Sequence, residues 1–175
     1  MRRISRIFAV AGLLVLAGSV GLEAQSRKFV SLGGGLTMPT GDFKNAEEAK
    51  SGWMTGAALG TGIGAGNLFV MATGFYGKSG SNHDADETHT MTGGTLNLGL
   101  SSAGEMVRVY GYVGAGLQNY KNNEHLEDNG TSVLGNTAVG LNFGRGTTLF
   151  WVQGGLAMNK TASYIPVLAG ISFGF

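Results

Sequence analysis

The sequence predicts an all-β fold: a transmembrane, antiparallel, up-and-down β-barrel of eight strands. Three observations support this prediction: an N-terminus typical of exported proteins, long runs in which apolar and small residues alternate, and connections that alternate between short and long. The chain has 175 residues, of which only 13% are charged and 32 are glycine, whereas charged residues make up roughly a quarter of an average soluble domain. A formal net charge of +1 and the absence of a basic cluster give no reason to expect a nucleic-acid partner.

The N-terminus has the order of regions of a secretory signal peptide. Arg2, Arg3 and Arg6 precede an uncharged run over residues 7–22, and Ala24 ends a plausible cleavage site. The run is shorter than the ~20 residues of a membrane-spanning helix, which disfavours an uncleaved anchor. Cleavage after Ser19 is an alternative. We therefore predict a cleaved signal peptide over residues 1–24 and one barrel domain over residues 25–175.

The rest of the chain alternates with a period of two, which is typical of strands. Near the start, Leu32 and Leu36 share one face while Gly33 and Thr37 share the other. Most of the runs reach the ~9–11 residues that a tilted strand needs to cross a bilayer. The predicted strands are 28–38, 52–63, 68–78, 88–101, 107–121, 130–144, 148–160 and 164–175.

The connections differ in length from one end of the predicted barrel to the other. Those at 39–51, 79–87 and 122–129 are long and hold most of the acidic residues, whereas those at 64–67, 102–106 and 145–147 are short. Outer-membrane barrels have short periplasmic turns and long extracellular loops. The connection at 160–163 is short, but because successive connections alternate between the two ends of the barrel, it lies at the same end as the long loops. We expect the long loops outside the cell and both mature termini in the periplasm.

A barrel of eight strands is only wide enough for side chains to fill, and only helices and closed barrels pair every backbone group in a bilayer. Small inward residues are therefore expected, and Gly56, Ala58, Gly60 and Gly62 share one face of the second strand. We also expect two aromatic girdles at the membrane interfaces. The periplasmic girdle would contain Phe29, Phe69, Phe143, Phe150, Trp151, Phe173 and Phe175, and the outer girdle Phe43, Trp53, Phe75, Tyr76, Tyr120 and Tyr164.

Two segments resemble the small outer-membrane β-barrel superfamily, which includes the transmembrane domain of outer membrane protein A and the opacity-type adhesins. Residues 32–43 (LGGGLTMPTGDF) resemble the glycine-rich opening strand and its Pro-x-Gly-Asp-Phe exit, and residues 170–175 (GISFGF) resemble the C-terminal assembly signal. The resemblance implies that Ile171, Phe173 and Phe175 are read by the barrel-assembly machinery, with periplasmic chaperones as transient partners. It further implies a monomer in contact with outer-membrane lipid and lipopolysaccharide.

One predicted loop holds five residues of metal-ligating type: His83, Asp84, Asp86, Glu87 and His89. Imidazoles and carboxylates suit divalent cations, but the segment has neither calcium-loop nor two-histidine helical spacing. We favour a solvated acidic loop over weak cation binding, and we predict no metal and no cofactor.

The sequence does not favour an enzyme. Lipid A deacylases of this barrel type carry a histidine and a serine two residues apart on a strand, whereas Thr90 and Met91 follow His89. The pairs Ser81 with His83 and His125 with Glu124 lie in loops that do not fix them. Arg108 is expected either in the lumen near Tyr110, Tyr112 and Gln118 or at the periplasmic rim.

The leading functional hypothesis is a non-enzymatic outer-membrane barrel that supports envelope integrity or presents its extracellular loops for binding or adhesion. A narrow pore for small solutes is the alternative, followed by a lipid A-modifying barrel enzyme. A soluble, secreted ligand-binding barrel would have polar outward faces, whereas the outward faces of these strands are apolar.

Overall fold

The computed structural model describes residues 28–45, 49–63, 67–82, 84–124 and 129–175. The predicted signal peptide lies outside these residues. The described chain forms eight strands and one short helix, α1 (Gly41–Asn45), which follows the first strand. The strands are β1 (Lys28–Thr40), β2 (Gly52–Ile63), β3 (Leu68–Gly80), β4 (Thr88–Ser101), β5 (Val107–Asn122), β6 (Gly130–Phe143), β7 (Thr148–Met158) and β8 (Ser163–Gly174).

Each strand pairs with its sequence neighbours in antiparallel orientation, and β1 pairs with β8, which closes the barrel. The closing register places Val30 opposite Phe173 and Thr40 opposite Ser163. The eight-stranded barrel predicted from the sequence is therefore confirmed, with strand ends within two residues of those expected. We call the end with the long connections the loop end, and the opposite end the turn end.

Among the described residues, no helix is long and apolar enough to cross a membrane.

The outward surface of the barrel is apolar. Leu36 is 64% exposed and Phe150 is 61% exposed, although both lie within strands. Apolar side chains on a barrel's outer face are what contact with hydrocarbon requires. The same face carries other large, exposed, apolar side chains: Leu32, Leu59, Leu96, Leu98, Leu100, Val107, Val109, Val113, Val133, Val139, Val167 and Phe173. The predicted assignment of faces in β1 is confirmed.

Inside the barrel, aromatic rings lie against glycines on the neighbouring strand. Phe69 is directly opposite Gly99 in the β3–β4 register, and a Cβ added to Gly99 would lie 2.7 Å from two atoms of the Phe69 ring. The pattern recurs in four further cross-strand pairs: Phe29 with Gly60, Phe75 with Gly93, Tyr110 with Gly140, and Trp151 with Gly170. The strand glycines therefore provide the space into which inward rings fold.

These pairs correct the predicted aromatic girdles. Phe29, Phe69, Phe75 and Trp151 occupy inward positions, and three further rings, Phe43, Tyr120 and Tyr164, are buried at the loop end. The aromatic residues that remain outward are Trp53 and Tyr76 near the loop end and Phe143, Phe150, Phe173 and Phe175 near the turn end. The girdles are thus thinner than expected, because a ring opposite a glycine packs inside the barrel rather than at the interface.

Proline and glycine mark the local irregularities. Pro166 has no N–H to donate, and the β7–β8 pairing is interrupted beside it, between Gly154↔Val167 and Ala157↔Tyr164. Gly41 has a φ of +56° where β1 gives way to α1, a conformation that glycine adopts without steric cost. This turn directs α1 back over the barrel mouth.

Candidate functional site

The loop end of the barrel is closed by a cluster of large buried side chains, which we call the plug. Its members are Phe43, Met54, Met91, Tyr120, Leu134 and Tyr164. Phe43 is contributed by α1 and is only 1% exposed. Its ring meets the rings of His89 and Tyr120 edge-on, with centroid distances of 5.5 and 5.8 Å. The helix after β1 therefore inserts an aromatic ring into the mouth of the barrel.

Polar side chains inside the loop end are paired with one another. The Nδ1 atom of His89 and the hydroxyl of Tyr120 are hydrogen-bonded at 2.6 Å, and the Tyr164 hydroxyl donates to Oε1 of Gln118 at 3.0 Å. Buried polar groups are costly unless they are hydrogen-bonded. These bonds satisfy Nδ1 of His89 and Oε1 of Gln118, two side chains that are fully buried within the closed end.

The structure separates the residues that the sequence singled out as weak metal candidates. Asp84 and Asp86 are exposed, and the Asp86 N–H donates to Oδ1 of Asp84 at 2.8 Å. Glu87 is buried and accepts from Nδ2 of Asn122 at 2.7 Å, while His89 contacts Tyr120. His83 lies outside the described residues. Within the described part of the chain, no group of three or more His, Cys, Asp or Glu residues is arranged to hold a metal ion.

The long connections are tied to one another beside the plug. Nδ2 of Asn123 donates to the carbonyl of Asp86 at 2.9 Å, and the Thr88 N–H donates to Oδ1 of Asn123 at 2.6 Å. The Lys50 N–H donates to the carbonyl of Gly80 at 2.8 Å, and Ala49 forms a β-bridge with Ser81. The described parts of these connections therefore extend the barrel wall beyond the plug.

The interior below the plug holds an elongated cavity of about 610 Å³. Its lining includes Asn67, Ser102 and Thr147 at the turn end, and it reaches Met54, Leu134 and Tyr164, which belong to the plug. The cavity therefore begins at the turn end and is closed at the loop end. The expectation that side chains fill the interior is confirmed for the loop end only. In the lower half, glycines on the wall leave more space than the rings occupy.

Two hydrogen-bonded groups project into this cavity. In the first, the Tyr110 hydroxyl donates to Oε1 of Gln153 at 2.9 Å, and Nε2 of Gln153 donates to the Tyr112 hydroxyl at 3.0 Å. In the second, Nδ2 of Asn136 donates to Oδ1 of Asn97 at 2.9 Å. Trp151 and Gln153 therefore lie in the lumen beside Tyr110 and Tyr112.

Arg108 lies at the turn end, in the second of the two positions expected for it. Its Nε donates to the carbonyl of Gly104 at 2.7 Å, within the turn between β4 and β5. It lines both the cavity and a second depression at the rim, which Glu105, Arg145 and Phe175 also line. Arg108 is thus a cation at the mouth of the cavity rather than a charge in mid-barrel.

Ile171, Phe173 and Phe175 project from the outward face of the final strand and the residue after it. Phe173 and Phe175 are 43% and 73% exposed, and the Phe175 N–H donates to the carbonyl of Lys28 at 2.9 Å. This placement presents the alternating apolar face of β8 to the surroundings at the turn end. Their role as an assembly signal remains a prediction.

No family model and no curated protein matches the sequence, but solved structures match the fold. Neisserial surface protein A aligns with a TM-score of 0.64 at 10% identity, covering 85% of this chain and 97% of that one. The chain has the fold of the eight-stranded outer-membrane β-barrels.

Two further neighbours share this architecture. The attachment invasion locus protein Ail of Yersinia pestis aligns with a TM-score of 0.56 at 12% identity, covering 88% of this chain and all of that one. The N-terminal barrel domain of Pseudomonas aeruginosa OprF aligns with a TM-score of 0.55 at 15% identity, covering 87% of this chain and 98% of that one. The resemblance to the small outer-membrane barrels, stated from the sequence, is confirmed at the level of the fold.

Sequence reasoning missed the plug and the cavity. Phe43, Tyr120 and Tyr164 were assigned to a girdle because they lie near strand ends. Residues buried at a barrel mouth occur at the same place along a strand as residues at a membrane interface, so this position does not distinguish the two. The signal available was parity: Tyr120 lies on the same face of β5 as Tyr110, Tyr112 and Gln118, all of which point inward. Phe43 lies beyond the strand, where a period of two carries no information.

Proposed function

We propose that this protein is a non-enzymatic integral protein of the bacterial outer membrane that presents its long connections outside the cell and contributes to the integrity of the envelope. The observation that carries the proposal is the combination of an apolar outward surface with a barrel closed at the loop end. The apolar surface suits a lipid environment. The plug opposes a role in passing solutes, since the loop end is filled by buried rings.

The charge of the connections indicates which kind of partner the outer surface suits. Nine of the eleven acidic residues lie in the three long connections: Asp42, Glu47, Glu48, Asp84, Asp86, Glu87, Glu124, Glu127 and Asp128. The four connections at the loop end contain no arginine and only three lysines, Lys44, Lys50 and Lys160. Ail has been solved in complex with the heparin analogue sucrose octasulfate. An acidic surface disfavours such a sulfated ligand, so we propose a cationic partner instead.

Lipopolysaccharide and outer-membrane lipid are the proposed surroundings, and the barrel-assembly machinery with periplasmic chaperones the proposed route of insertion. The long loops would then lie outside the cell and the turn end in the periplasm. We propose no catalytic role, since buried His89 packs against Phe43 and Tyr120 rather than at a substrate-accessible surface.

The test is a deletion strain that is complemented with wild-type or altered protein. One variant replaces the exposed acids Asp84, Asp86 and Glu124 with serine; the matched control replaces the exposed lysines Lys44, Lys50 and Lys160 with serine. Two properties are measured: sensitivity of the cells to detergent, and binding of cells to a polylysine-coated surface. The proposal expects the deletion to raise detergent sensitivity, and the acid variant alone to reduce binding. A deletion strain with normal values of both would contradict it.

A further inference from the structure

The cavity below the plug has the volume of a small-molecule binding site. Small-molecule sites in proteins enclose about 300–1,000 Å³ and combine an apolar lining with a few placed polar groups. This cavity encloses about 610 Å³ and runs from the turn end to Tyr164. Since β8 lines it from Gly174 to Tyr164, at roughly 3.3 Å per residue the site follows about 30 Å of strand. Its shape suits an extended molecule.

The charged residues that line the cavity are concentrated at its mouth. Of the described residues that line the cavity, Lys28 and Arg108 are the charged ones, and both lie at the turn end. Arg108 lies on the inward face of β5 with Tyr110, whereas Lys28 lies on the outward face of β1 with Leu32. Nε of Arg108 is held by the carbonyl of Gly104, which leaves the terminal nitrogens of the guanidinium to face a ligand. Glu105 lies outside the cavity, in the depression at the rim. The mouth therefore favours an anionic group.

From the mouth inwards, the wall combines aromatic rings and glycines with the two hydrogen-bonded groups described above, which contain Gln153 and Asn136. Two buried polar atoms among the lining residues have no hydrogen-bond partner, namely Nε1 of Trp151, a donor, and Oδ1 of Asn136, an acceptor. Buried polar atoms without a partner are uncommon.

We propose that this cavity binds an amphipathic monocarboxylate that enters from the turn end. The carboxylate lies at Arg108, and the apolar body extends past the rings of Phe69 and Trp151 toward the plug. The inference adds a ligand site to the proposed function and does not depend on it, because binding to the purified barrel is independent of what the loops contact and of how the barrel is oriented in the cell.

The two tryptophans of the chain allow binding to be separated from partition into lipid. Trp151 lies in the cavity, whereas Trp53 is 46% exposed on the outward face. We would place the variants Trp53→Phe and Trp151→Phe in lipid nanodiscs and titrate each with 8-bromooctanoate, whose bromine quenches indole fluorescence. The proposal expects saturable quenching of Trp151 and only a linear, non-saturating loss for Trp53. A linear response from Trp151 would overturn it.

Two glycines of the β2–β3 hairpin provide a blocking variant and its control. Gly62 lines the mouth of the cavity, and a Cβ there would meet only the carbonyl of Leu68 at 3.8 Å; Gly74 faces outward, with nothing within 4 Å of a Cβ. In the Trp53→Phe background, Gly62→Phe should abolish saturable quenching, and Gly74→Phe should preserve it. Heat-dependent mobility on a gel verifies that each variant is folded. Unchanged binding by folded Gly62→Phe would contradict the site.

The anionic headgroup is tested by Arg108→Gln, again with Trp151 as the reporter. Loss of one partly exposed ion pair should weaken 8-bromooctanoate binding about three- to fivefold. The affinity for the neutral 8-bromooctanamide should stay unchanged. If wild type binds the amide as tightly as the carboxylate, the cavity does not select an anion and the proposal is wrong in its ligand class.

Discussion

Replacing an inward glycine should destabilise the barrel through the ring that covers it, and Gly99→Ala is the clearest case. The three atoms nearest to an added Cβ all belong to the Phe69 ring, two of them at 2.7 Å, whereas carbon atoms pack at about 3.5–4.0 Å. The ring must therefore move by about 1 Å or leave its rotamer. Overpacking of this kind costs about 1–3 kcal/mol, and we expect Gly99→Ala to lower the free energy of unfolding by that amount.

The assay is urea-induced unfolding of purified protein in lipid vesicles, followed by tryptophan fluorescence. Gly74→Ala is the matched control, because nothing lies within 4 Å of its Cβ; it should change the free energy of unfolding by less than about 0.5 kcal/mol. Phe69→Leu should relieve the clash, so that the double variant Phe69→Leu/Gly99→Ala shows a favourable coupling of about 1 kcal/mol. Equal effects of Gly99→Ala and Gly74→Ala would refute the pairing of ring and glycine.

Three further predictions address assembly, the plug and the loop end. Phe175→Ala should reduce the folded yield in cells far more than Phe150→Ala, although both remove an exposed aromatic residue near the turn end; equal yields would count against an assembly signal. Wild-type barrel in planar bilayers should show no long-lived porin-like conductance, since the plug closes the loop end, while Phe43→Ala, which removes a ring only 1% exposed, should increase brief openings. A large stable conductance from wild type would show that the barrel is wider than eight strands permit. Tyr120→Phe removes the hydroxyl bonded to Nδ1 of His89 at 2.6 Å and should lower the free energy of unfolding by about 1–3 kcal/mol; an unchanged urea midpoint would show that this bond contributes nothing.

The architecture could be predicted because the pattern that defines it is local. A period of two assigns each strand residue to a face, so Leu32 and Gly33 were placed correctly on opposite sides of β1. The same parity places Phe29 beside Ser31 and Gly33 on the inner face. Its assignment to a girdle was wrong because position along the strand was given more weight than parity.

The plug and the cavity depend on contacts between distant parts of the chain. Phe43 closes the mouth because Gly41 turns α1 over it, and that geometry has no periodic signal. The cavity arises where there are more inward glycines than aromatic rings to fill the space beside them. Predicting it would require knowing the register of all eight strands. Metal-ligating residue types at 83–89 are close in sequence, yet alternation turns Glu87 and His89 into the barrel while Asp84 and Asp86 remain exposed.

The chain forms a closed eight-stranded barrel, and the central proposal is that this barrel resides in the outer membrane. The most direct measurement is gel mobility of the protein from fractionated cells, with and without boiling in denaturing detergent. A closed barrel pairs every backbone group along its ladder, so the unboiled protein should remain folded and migrate differently from the boiled form, in the outer-membrane fraction. Recovery in the soluble periplasmic fraction with one mobility before and after boiling would contradict the account.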